Sequence, residues 1–178
     1  MSIRNTCLML VGLGVAFSAT AAQVAYVDYS TLMQKAPQVK ASTALLKKEF
    51  SPRRQAIEKK MAKLHSLELK LRDMGPGTNA FKRAAVLENY RKTQNALQKS
   101  EKSYETALQL RRSQLSDNFS QLVSDDIKAY AKAHGIDVVV KGGGIYEAPG
   151  VDLTSQILKQ LKQDYRQAQA QASASKKQ

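Results

Sequence analysis

Two long stretches of charged, helix-favouring sequence, broken once by Gly75-Pro76-Gly77, leave this chain few ways to fold. The first stretch repeats apolar residues every seven positions at Phe50, Ile57, Leu64 and Leu71, beside a mixed series of Leu46, Arg53, Lys60, Leu67 and Met74. The second carries Leu87, Gln94, Glu101, Leu108, Leu115 and Leu122, beside Tyr90, Leu97 and Tyr104. A seven-residue period returns the same helical face every two turns, so two such helices can pack along a seam. The pattern predicts an antiparallel helical hairpin over residues 38–134 with its tip at 75–78. Gly75 suits the left-handed position after a helix, Pro76 cannot continue one, and Thr78 or Asn79 can cap the next. Pro52 predicts a bend near residues 51–52, either as a kink or as a fresh helix capped by Ser51. Arg53, Lys60, Gln94 and Glu101 interrupt the seam, so the arms are expected to hold together and stay compliant.

The ends of the chain are different. Residues 1–22 read as a signal peptide: Arg4 supplies a basic start, Leu8 to Phe17 an apolar run, and Ser-Ala-Thr-Ala-Ala small residues for cleavage after Ala21 or Ala22. That run is shorter than the roughly 20 apolar residues a bilayer span needs. The single cysteine, Cys7, lies inside the segment to be removed, which leaves no thiol for a disulfide, a nucleophile or a metal. The expected destination is an exported compartment.

Short β-rich segments flank the arms. Gln23–Tyr29, Ile136–Val140 and Gly144–Ala148 have strand composition, the last two joined by a glycine-rich turn. Thr154 to Arg166 reads as an amphipathic helix presenting Ile157, Leu158, Leu161 and Tyr165, and residues 167–178 as a disordered tail. Residues 23–37 and 135–166 together form a discontinuous body too small to stand alone, with Val24, Tyr26, Val27, Ile136, Val138, Val140 and Ile145 as its association residues. The fold class is α+β.

Charge separates the remaining function classes. Without Arg4 the chain holds 27 basic and 15 acidic side chains, a net +12. Arg53 to Lys92 alone has eleven bases and four acids: Arg53, Arg54, Lys59, Lys60, Lys63, Lys70, Arg72, Lys82, Arg83, Arg91 and Lys92. Such a field attracts acidic polypeptides or anionic lipid surfaces. Nucleic acid is set aside, because the chain is read as exported and has no zinc pattern or RNA-binding motif.

No catalytic constellation emerges. His65 and His134 stand alone on helical stretches and read as surface positions, without an acidic cluster at ligand spacing. Asp125 and Asp126 are helix neighbours about 100° apart and read as surface charge. Gly142-Gly143-Gly144 lacks phosphate-loop spacing. The reading is a binding protein with no catalytic residues, no metal and no cofactor.

The stretches AQVAYVDYSTLMQKAP and GIDVVVKGGGIYEAPGVDLTSQILKQL, with the basic hairpin between them, resemble the Skp/OmpH-like periplasmic chaperones. The resemblance spans the chain from the first strand to about Lys162. It implies a homotrimer whose strands close into a small β-barrel, with helical arms projecting around a cavity. It also implies an ATP-independent holdase for unfolded outer-membrane β-barrel proteins, and the charge reading then makes the eleven cations of the arms the expected client-contacting set. Some family members are linked to lipopolysaccharide, and an envelope protein binding lipopolysaccharide or anionic lipid is the alternative reading. A structural spacer would call for drier seams and more even charge.

Overall fold

Asp28 ends one element and begins the next. In a computed structural model describing residues 22–142 and 151–175, strand β1 (Val24–Val27) runs into helix α1 (Tyr29–Lys35) through this residue. The Asp28 carboxylate accepts from the Thr31 backbone N–H at 3.0 Å and from the Thr31 hydroxyl at 2.6 Å. The hydroxyl and backbone bonds from Thr31 hold the Asp28 carboxyl below its ordinary range, as expected when donors favour the charged form.

Pro37 opens α2 (Pro37–Asp73), where its missing N–H removes no helical hydrogen bond. At a rise of about 1.5 Å per residue, this first arm is roughly 55 Å long. The helix runs unbroken past Pro52, and Ser51 starts no new one. Proline leaves the Lys48 carbonyl without its usual donor, but packing of Phe50 against the second arm holds the turn in place.

The tip departs from expectation at Gly75. Met74 leaves the helix in an extended conformation, and Gly135 is the glycine with positive φ among the described residues. Pro76 explains this, because a residue before proline is pushed toward extended backbone. Asn79 caps α3 (Ala80–His134), its side chain accepting from the N–H groups of Phe81 at 2.8 Å and Lys82 at 3.4 Å. The second arm ends on Gly135, whose φ of 66° gives the left-handed stop.

The body is a three-stranded sheet in the order β2-β1-β3, with β2 at Val138–Lys141 and β3 at Val151–Asp152. Both flank β1 in parallel, Val24 opposite Val138 on one side and Ala25 opposite Val151 on the other. The strand expected at Gly144–Ala148, with Ile145, lies outside the described residues. Helix α4 (Thr154–Ser175) follows directly and corrects the expectation of an unstructured tail as far as Ser175. Alanine and glutamine are good helix formers, and no Gly or Pro interrupts the run after its anchored first turns.

The core gathers Ala25 and Val27 of β1, Leu32 of α1, Phe119 and Val123 of α3, and Leu153, Ile157 and Leu161 at the start of α4. Fully burying an aliphatic side chain contributes about 2 kcal/mol. The base of the second arm thus packs into the same core as the segments at 23–37 and 135–166. Along the arms Phe50, Leu67, Thr93 and Leu97 are buried, while Leu87 faces solvent. No helix of the described residues is long and apolar enough to cross a membrane.

Candidate functional site

The eleven cations picked out in the sequence lie along the two arms. Ten are exposed, and Lys60 is half-buried with its Nζ donating to the Ser100 hydroxyl. Helical i,i+4 spacing sets Arg54 3.7 Å from Glu58 and Lys92 2.6 Å from Glu88, and Arg72 lies 3.5 Å from the adjacent Asp73 at the helix end. The Lys92 ammonium holds the Glu88 carboxyl below its usual range. Arg53 lies over the Phe50 ring, 5.5 Å from its centroid.

Lys59, Lys63, Lys70, Lys82, Arg83 and Arg91 form no ion pair among the described residues. Their charge is free to act outward, screened over roughly 8 Å at physiological salt. Phe81 projects beside Lys82 and Arg83 at the tip and is 87 % exposed.

Midway along the arms, Phe50 meets Tyr104 edge to face at a centroid distance of 5.7 Å. The seam opens on either side of this layer. One groove of about 320 Å³ is bordered by Lys47, Arg54 and Arg112, and another of about 340 Å³ by Arg53, Lys60 and Lys99. Lys47, Lys99 and Arg112 fall outside the set chosen from charge density. Of the three, Lys47 has a local sequence signal, standing three positions before Phe50, whereas Lys99 and Arg112 are brought to the grooves by the pairing of the arms.

The residues expected to mediate association divide by strand alternation. Val27 is buried and Ile136 half-buried, whereas Val24, Val138 and Val140 are 53, 45 and 48 % exposed. Tyr26, on the same sheet face by alternation, is half-buried. Among the described residues β2 and β3 are the outer strands of the sheet.

Histidine and carboxylate positions fit a structural role, with one exception. The His134 ring stacks on Tyr130 at 3.9 Å, with Nδ1 2.8 Å from the Tyr130 carbonyl, and His65 lies 3.8 Å from Glu68. No group of metal-ligating side chains occurs among the described residues. Asp126 is the exception to its reading as plain surface charge. Partial burial, then the charges of Asp164 and Asp125, raise its pKa to about 6, and its Oδ2 is buried without a hydrogen-bond partner.

Known proteins are similar in sequence to this chain across most of its length. A protein from Yersinia enterocolitica named Chaperone protein Skp is 26 % identical over 159 residues, covering 88 % of this chain and 97 % of its own. A protein of the same name from Pectobacterium atrosepticum is 25 % identical over 161 residues, covering 87 % and 98 %. The family described as Outer membrane protein (OmpH-like) matches residues 23–161. That span takes in the first strand, both basic arms and the anchored turns of α4, and the chain belongs to the OmpH-like family.

Proposed function

We propose that this protein is a periplasmic holdase chaperone that works without ATP or any other cofactor. Cleaved after Ala21 or Ala22, it associates as a homotrimer in which the strands of three bodies close into a small barrel. The arms surround a cavity that shelters unfolded outer-membrane β-barrel proteins and keeps them from aggregating. The observation that carries this reading is the row of outward cations without acidic partners on paired arms, joined to a sheet whose Val24, Val138 and Val140 lie open. Exposed apolar strand positions favour association. Unpaired positive charge favours fast capture of acidic chains, and a partly wet seam lets the arms yield to clients of different size. The names of the two relatives point the same way.

The test dilutes a urea-unfolded outer-membrane barrel protein into buffer with and without the mature chain, following light scattering at low and high salt. The expected result is suppression near three chains per client, weakened by salt. Absence of suppression at every salt concentration overturns the reading.

A second reading has its own observation. Phe81, exposed between the tip glycines and Lys82-Arg83, suits the interface of an anionic lipid or lipopolysaccharide layer, where an aromatic ring and cations bind together. Strong binding to such vesicles with no protection of an unfolded client would favour it.

A further inference from the structure

The groove on the body side of the Phe50–Tyr104 layer has a chemical character of its own. Leu46, Phe50, Tyr104 and Leu108 supply an apolar floor, while Lys47, Arg54 and Arg112 stand around it with no acidic residue in the lining. Neither Lys47 nor Arg112 has an ionic partner among the described residues, because the neighbouring Glu49 is taken by Arg111 at 3.2 Å. Helix geometry explains the crowding. At about 100° per residue, Lys47 and Arg54 fall to one side of the Phe50 direction, and Arg53 and Lys60 to the other.

A second, smaller recess of about 140 Å³ continues toward the body, floored by Met33, Val39, Leu115 and Phe119. The two depressions share Thr43, Leu46 and Arg112. Their α2 linings are centred about six residues apart, roughly 9 Å along the helix. An extended chain covers that distance in about three residues, and its alternate side chains point the same way.

We propose that this inter-arm groove is a binding subsite for extended polypeptide in which apolar side chains alternate with carboxylates. The apolar residues enter the two recesses, and the carboxylates meet Lys47, Arg54 and Arg112. The inference rests on the holdase reading and names the segment of a client that the arms would grip. Two separate recesses with a cation between them suit a chain carrying spaced side chains better than one continuous acyl tail.

The test uses the full mature chain and three fluorescein-labelled peptides. One alternates Leu or Phe with Asp or Glu, one has the same residues with the apolar ones clustered, and one has Lys in place of the acids. Anisotropy should show the alternating acidic peptide binding tightest. Lys47→Glu with Arg112→Glu should weaken it about tenfold, against less than about threefold for Lys159→Glu with Lys162→Glu, which changes the charge equally on α4. Thr43→Trp fills the junction of the recesses without touching charge and should also weaken binding, with circular dichroism showing that each variant folds.

Equal losses in both charge-reversal variants, or unchanged binding in Thr43→Trp, would overturn the subsite. So would loss of binding to phosphatidylglycerol vesicles with peptide binding intact, which would make the groove a lipid site. The aggregation assay run on the same proteins separates the two ideas. Wild-type suppression with a normal peptide response in Lys47→Glu/Arg112→Glu removes the groove alone. Groove-dependent peptide binding without suppression removes the holdase alone.

Discussion

The backbone N–H of Asp28 donates to the hydroxyl of Thr154 at 2.8 Å, across 126 residues of sequence. Thr154 is 7 % exposed, and its own N–H donates to the Asp152 carboxylate at 2.8 Å. The turn from β1 into α1 is thereby fastened to the first residue of α4. Thr154→Val keeps the shape and removes the acceptor, so it should cost about 1–2 kcal/mol. Thr154→Ser should recover most of the loss. Urea unfolding followed by circular dichroism measures both, and equal midpoints for all three proteins would show that the bond contributes nothing.

Phe50 is the buried aromatic residue of the first arm and packs edge to face on Tyr104. Phe50→Ala should destabilise the arms by about 3 kcal/mol through lost contact and the space left behind. Hydrogen exchange should speed up around residues 46–57 and 100–108, with β1 and α4 little changed. A uniform rise over the whole chain would mean that arms and body unfold as one unit.

Replacing Pro52 should act in the opposite direction. Alanine restores an N–H for the Lys48 carbonyl and removes a ring from the interior of α2. A proline inside a helix costs about 3 kcal/mol relative to alanine, so Pro52→Ala should raise the midpoint of arm melting. If arm compliance serves the holdase, the same variant should protect large clients less well than small ones in the light-scattering assay.

Asp126 gives stability a pH dependence of known sign. Its pKa is raised from 3.8 to about 6 in the folded chain, chiefly by burial and then by Asp164 and Asp125. The folded state therefore holds this proton more tightly than the unfolded one. The contribution is fully present below about pH 4 and is lost as pH rises through about 6. Asp126→Asn should be more stable than wild type at pH 7.5 by about 1 kcal/mol or less, the nominal effect being reduced by solvent screening. The gap should close or reverse at pH 4, and a gap independent of pH would count against the assignment.

Much of the hairpin was legible because its signals are local. Seven-residue spacing marks the arms, Pro76 the stop and Asn79 the restart, all within a few residues of where they act. Gly75 was misread because two neighbouring rules conflict there, and proline's restriction on the preceding residue prevailed over glycine's freedom. The tail was misread because its low-complexity composition hid good helix formers continuing a helix already anchored by Ile157 and Leu161.

Sheet order was not readable at all. Nothing in Val24–Val27 announces that its neighbours are Val138–Lys141 and Val151–Asp152, since pairing is decided by packing across the whole chain. The cations of the arms were visible as a charge count, but the groove residues Lys47 and Arg112 required the Phe50–Tyr104 contact to bring them together.

The central place of β1 also fixes an order of events. A chain made from its N-terminus has its first strand ready at residue 27, yet both strands that flank it lie beyond residue 137. The arms can zip together from their tip by short-range contacts while that strand waits, and the sheet forms last. Zipping brings the roots of the arms together, so the closure left to the sheet spans only the short connections there, whatever the length of the arms. Inserting or deleting whole heptads in both arms should accordingly change their reach far more than the rate at which the body forms.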